Sequence, residues 1–72
     1  MKKVAPGQVW KNGRTAVQVQ KNKGKLELVT FALEDNTLKF SKSGIYDERK
    51  ARKYLEKLNC KCTTQTLAAV EG

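Results

Sequence analysis

Apolar residues alternate along the first two thirds of the chain and take up a helical spacing in the last third. The run Thr15-Ala16-Val17-Gln18-Val19-Gln20 puts Thr15, Val17 and Val19 on one side and Gln18 and Gln20 on the other, which predicts a half-buried strand. Pro6-Gly7 is a turn signal, and Gln8-Val9-Trp10 after it reads as a short strand. Between the two lies Lys11-Asn12-Gly13-Arg14. Asn-Gly is the strongest short hairpin signal, because both residues tolerate positive φ. Lys21-Asn22-Lys23-Gly24 predicts a second turn. The stretch Lys25 to Leu33 reads as a longer strand, with Leu26 and Leu28 on one side and Val29, Phe31 and Leu33 on the other. Apolar residues on both sides imply either a bulge near Leu28-Val29 or partial cover on both faces. Glu34-Asp35-Asn36 is the third turn, and Thr37 to Ser41 the fourth strand, with Leu38 and Phe40 inward and Lys39 outward.

After Ser43-Gly44 the spacing changes. Ala51, Tyr54, Leu55 and Leu58 fall at i, i+3, i+4 and i+7, which predicts a helix over 47–58 with one apolar stripe. Asp47 can cap its start and Glu48 suits the positive end of its dipole, while Asn59 can close it in a left-handed conformation. Cys60 to Thr66 is polar and β-branched and suits a short last strand; Leu67 to Val70 could extend it, form a helical turn or fray. A meander of short strands cannot hide its apolar face unaided. The expected fold is therefore α+β: a small, bent, antiparallel sheet of four to five strands, or an SH3-like half-barrel, packed by one C-terminal helix. The chain reads as one domain over 1–72, with an N-terminal arm (1–6), a β-meander (8–42), the helix (47–58), the last strand (60–66) and a mobile tail (67–72). The expected core is Trp10, Val17, Val19, Leu28, Phe31, Leu38, Phe40, Leu55 and Leu58.

Size and composition narrow the chemistry. A chain of 72 residues buries only about 60% of its unfolded surface, which leaves little room for an enclosed substrate cavity. There is no His, so the usual catalytic base is missing. The carboxylates come as the neighbours Glu34-Asp35 and Asp47-Glu48, in a turn and at a helix start, where acids have structural work. The glycines are single turn residues and form no phosphate-cradling loop. No enzyme, cofactor, metal or small-molecule substrate is expected. Cys60 and Cys62, one residue apart, would close almost no chain as a disulfide and read as two reduced thiols. No apolar run approaches the roughly 20 residues of a membrane helix, and Met1-Lys2-Lys3-Val4-Ala5 has no apolar stretch behind its charge; a cytoplasmic protein without membrane contact is expected.

Charge alters this picture most. Fifteen Lys and Arg against seven Asp and Glu give a net charge of +8. Residues 1–25 carry seven bases and no acid, residues 26–38 three acids and no base, and residues 39–61 eight bases with three acids. Two basic blocks favour an anionic partner, nucleic acid first among them. The candidate contacts are Lys11, Arg14, Lys21, Lys23, Lys25, Lys39 and Lys42 from the strands and hairpin tips, and Arg49, Lys50, Arg52, Lys53 and Lys57 from the polar face of the helix. The tips flank one strand at opposite ends, so they form a single cluster only if the sheet bends sharply. Pairs Glu48–Arg52 and Arg52–Glu56, spaced i,i+4, would mute part of the helix field. The helix carries few residues suited to base edges, so phosphate contact without strong sequence preference is expected. Tyr46 and Trp10 are the only candidates for base stacking, and the core has a prior claim on Trp10.

Pro6-Gly7-Gln8-Val9-Trp10, the Asn12-Gly13 hairpin and Thr15-Ala16-Val17-Gln18-Val19 together resemble the first half of small SH3-like barrels, over roughly residues 6–42. Such barrels recur among accessory proteins of phages and mobile elements and in nucleic-acid-associated modules. The resemblance implies a small accessory binding protein. The competing expectation is a protein-interaction module or regulator of an acidic partner protein, which requires an exposed apolar patch or an unpaired sheet edge.

Overall fold

The computed structural model describes residues 3–63. Five antiparallel strands and one helix follow in the order β1 (Val9–Lys11), β2 (Thr15–Asn22), β3 (Lys25–Glu34), β4 (Thr37–Tyr46), α1 (Glu48–Lys57) and β5 (Lys61–Thr63). They build a single open sheet ordered β4-β3-β2-β1-β5, with the helix against one face, a small α+β fold. Residues 64–66 of the expected last strand, and the expected tail 67–72, lie outside the described residues.

Register decides which side chains meet. Trp10 stands opposite Val17, Val17 opposite Thr30 and Val19 opposite Leu28, so these residues share one face. Ala51 and Leu55 of α1 pack on that face, with Val4 and Cys60 closing its margins, and all of these side chains are buried. The expected core members Trp10, Val17, Val19, Leu28 and Leu55 belong here, and Leu58 packs half-buried beside them. Thr30, buried among them, satisfies its hydroxyl by a 2.7 Å hydrogen bond with the Tyr54 hydroxyl, which ties α1 to β3. The N-terminal arm is part of this core rather than an appendage. Val4 is buried, and the Gln8 side chain holds the arm by accepting from Ala5 N and the Trp10 indole and donating to Lys3 O.

The opposite face has its own small cluster. Val9 and Ala16 are buried there, with Leu38 packed against them. Leu38 lies two strands from Ala16 in the sheet order, so the sheet must bend at this end for the contact to form. Phe31 is half-buried on this face, and Phe40 is 65% exposed, so Phe40 is not the core residue its inward position in β4 suggested.

Three turns are built differently from their sequence signals. Asn12-Gly13 does not use positive φ; instead Asn12 Oδ1 accepts from the backbone N–H of Arg14 and of Thr15, both at 2.8 Å, so the side chain closes the turn. The second turn narrows to Lys23-Gly24, at φ 48° and 81°, because β2 continues through Asn22. The third turns at Asp35-Asn36, at φ 49° and 63°. Two-residue turns of this kind match the right-handed twist of the strands they join.

Strand β4 does not stop at Ser41. It runs to Tyr46, with Gly44 inside it, because the Tyr46 ring folds over Gly44: a Cβ there would come within 2.9 Å of the ring. Glycine in a strand marks such a close approach as readily as a break. The bulge lies at Thr30/Phe31 rather than at Leu28-Val29. Thr30 pairs with Lys42 and Phe31 with Phe40, which leaves Ser41 as the extra residue on β4. The helix begins and ends as its caps dictate. Asp47 accepts from Lys50 N at 2.8 Å, and Asn59, at φ 56°, sits in a closing motif in which Cys60 N reaches Leu55 O and Asn59 N reaches Glu56 O.

Candidate nucleic-acid interface

Helical geometry sorts the cations of α1 into two groups around Tyr54. Lys50, Lys53 and Lys57 stand four and one residues before it and three after it, so at 100° per residue they flank Tyr54 on one side. Lys42 of β4 meets that flank, its Nζ lying 5.1 Å from the Tyr54 ring centroid, a cation–π distance. A strand cation and three helix cations thus gather along one margin of the helix. Arg49 and Arg52 lie on the outermost face, where a shallow depression is lined by them together with Lys53, Glu48 and Glu56. Two carboxylates among three cations weaken the field there. Neither of the expected ion pairs, Glu48–Arg52 or Arg52–Glu56, closes to 4.0 Å, so the muting is diffuse rather than pairwise.

The hairpin tips sit at the two ends of the helix. Asn12 Nδ2 donates to Leu58 O at 2.6 Å, which docks the tip bearing Lys11 and Arg14 at the helix C-terminus. Lys61 stands opposite Lys11 in the β1–β5 register and adds a cation at the same end; sequence reasoning omitted it because nothing but its charge marks it. The other tip carries Lys21, Lys23 and Lys25. Gly24 and Lys25 there share a surface depression with Lys3, Asp47 and Glu48 at the helix N-terminus. The bend of the sheet does not bring the tips together; the helix spans the distance between them.

All the lysines and arginines except Lys2 lie among the described residues, and only two of these have a carboxylate within 4.0 Å: Lys39 with Glu34 at 2.9 Å, and Lys3 with Glu48 at 3.9 Å. Lys39 is thereby neutralised across its own hairpin, and of the expected contacts it is the one most weakened.

The aromatics are distributed differently from the sequence expectation. Trp10 is buried, its indole N–H donating to Gln8. Tyr46 is half-buried and stacked on Tyr54, with ring centroids 5.4 Å apart and planes inclined at 23°. The aromatic ring left open is Phe40, edge-on to Phe31 at a centroid distance of 6.4 Å. Sequence parity does not reveal it, because Phe40 shares its face with Leu38, yet Leu38 packs against Val9 and Ala16 while Phe40 stays in solvent.

Cys60 and Cys62 are free thiols, and burial pushes the Cys60 thiol above its ordinary range. Among the described residues no group of three or more His, Cys, Asp or Glu side chains could hold a metal ion, and no helix is long and apolar enough to cross a membrane. No protein-family model matches the chain, no curated protein is significantly similar to it, and no solved structure matches its fold.

Proposed function

We propose that the protein is a small basic accessory protein, built as an SH3-like half-barrel, that binds nucleic acid through the phosphate backbone with little sequence preference. The margin formed by Lys42, Lys50, Lys53 and Lys57, all exposed and without an ion-paired carboxylate, carries this reading. Surface cations without a carboxylate partner have no ion pair to break, so a polyanion laid along them releases its own condensed counterions at little cost to the protein. The basic tip at the helix C-terminus lengthens the track, and the acids Asp47 and Glu48 bound it at the helix start, between it and the second tip.

The test is a titration with single- and double-stranded DNA and RNA at two or more salt concentrations. Contact with about six phosphates of a duplex gives a slope of log affinity against log salt near −5. The triple variant Lys50→Glu, Lys53→Glu, Lys57→Glu should flatten that slope and weaken binding of every nucleic acid alike. Absence of binding at about 50 mM salt would remove the proposal.

A further inference from the structure

We infer that the sheet face turned away from the helix is a stacking platform for a single-stranded polynucleotide, with Phe40 as the ring on which a base lies. The inference rests on the phosphate-binding reading above and adds to it the form of nucleic acid and the residue that selects it.

The bulge is the first observation. From Leu26↔Tyr46 to Thr30↔Lys42 the register of β3 and β4 puts the even residues of β4 on the helix side. Had it continued unbroken, Phe40 would have pointed toward the helix with Lys42 and Gly44. The extra residue Ser41 shifts the parity, so Phe40 pairs with Phe31 on the open face instead. Bulges re-aim side chains in this way at functional places in sheets.

The second observation is that this placement leaves most of the ring in solvent. Phe40 is 65% exposed and touches Phe31 edge-on, and Ile45 on the same face is 55% exposed. The same face carries groups suited to base edges two strands away on β2: Gln18 and Gln20, both accessible, whose amides are joined to each other by a single long 3.3 Å hydrogen bond. An amide joined so weakly exchanges readily for a base edge.

Charge complementarity selects the occupant. The strand registers put Lys25 of β3, Lys11 of β1 and Lys61 of β5 on the open face, whereas Lys39 and Lys42, next to Phe40 in β4, point to the helix side. Glu27 is the one carboxylate that the strand registers put on this face, and Asn22 Nδ2 reaches it at 3.4 Å. An open apolar ring on a face that carries three lysines against one carboxylate fits a polyanion with an accessible π face. A duplex stacks its own bases and offers none; an unpaired strand does, and stacking on aromatic rings tolerates any base.

Fluorescence anisotropy with a labelled oligothymidylate of about 12 nucleotides, and with a duplex of the same length, separates the outcomes. Phe40→Ala should weaken oligothymidylate binding roughly 5- to 100-fold, the loss expected for one stacked base. It should change duplex binding by less than about twofold, since duplex contact is with phosphates. Phe40→Trp should restore the affinity. Because Phe40 is exposed, the far-ultraviolet circular dichroism of both variants should superimpose on that of the parent protein. Equal oligothymidylate affinity for Phe40→Ala and the parent protein would overturn the platform while leaving phosphate binding intact. Failure of the parent protein to bind any polynucleotide would overturn both.

Discussion

Removing the Asn12 side chain should cost the protein a large share of its stability, because that one amide does two separate jobs. Its oxygen closes the β1–β2 turn by accepting from Arg14 N and Thr15 N, and its nitrogen donates to Leu58 O, 46 residues away, at the end of the helix. The three bonds are not equal. Arg14 N is exposed and water replaces the lost acceptor at almost no cost, whereas Thr15 N and Leu58 O are partly buried. Each partly buried group left without a partner costs about 1–1.5 kcal/mol, so Asn12→Ala should lose about 2–3 kcal/mol. For a domain of this size that is a fall in Tm of roughly 10–20 °C. Thermal and urea unfolding followed by circular dichroism measure it. Asn12→Asp separates the two jobs: it keeps both acceptors but presents a carboxylate to the Leu58 carbonyl at the negative end of the helix dipole. It should therefore close the turn yet fail to dock it, with a loss intermediate between the parent protein and Asn12→Ala. If Asn12→Ala unfolds within about 0.5 kcal/mol of the parent protein, the tip is not held by the helix and the gathering of Lys11, Arg14 and Lys61 at that end loses its cause.

Gly44→Ala would drive a methyl group into the Tyr46 ring, so the ring must leave its stack on Tyr54; a loss of about 1–2 kcal/mol and a changed near-ultraviolet tyrosine signal are expected. Asn59→Ala places a Cβ-bearing residue without a helpful side chain at φ 56° and should destabilise by about 1 kcal/mol in denaturant unfolding. The Cys60 thiol, raised by burial, holds its proton more tightly folded than unfolded. Its contribution to stability is therefore complete below the ordinary thiol value of 9.0 and is lost as pH rises above it, a decline that should be smaller in Cys60→Ala. A thiol reagent should for the same reason label half-buried Cys62 well before Cys60, read by mass spectrometry.

The helix and the helix-side core were legible because local chemistry and burial agree there. Asp47, the Ala51/Leu55 stripe and Asn59 each specify their own part of α1, and the alternation of Val17 and Val19 specifies the buried side of β2. The end of β4 was not legible. Ser43-Gly44 carries the chemistry of a break, and only the Tyr46 ring, packed between Gly44 and Tyr54, explains why the strand continues through it. Val4 and Cys60 were missed as core for a similar reason: each lies outside any periodic run, and it is the Gln8 side chain and the closing turn of the helix that bring them inside.

The candidate site divides along the same line. Which side of α1 carries Lys50, Lys53 and Lys57 follows from helical period alone, but that Lys42 joins them depends on pairing between β3 and β4, a non-local fact. Phe40 is the sharper case. A strand read with strict period two places it with Leu38 facing inward, and both do share a face; what the period cannot say is that a bend lets Leu38 reach Val9 and Ala16 while Phe40, two residues on, remains in solvent. One inserted residue, Ser41, then returns Lys42 to the helix side beside Tyr54. The same bulge therefore sets both halves of the proposed interface, the ring on one face and the cation on the other. Deleting Ser41 should couple their loss, because a one-residue slip turns every side chain on one side of it to the opposite face.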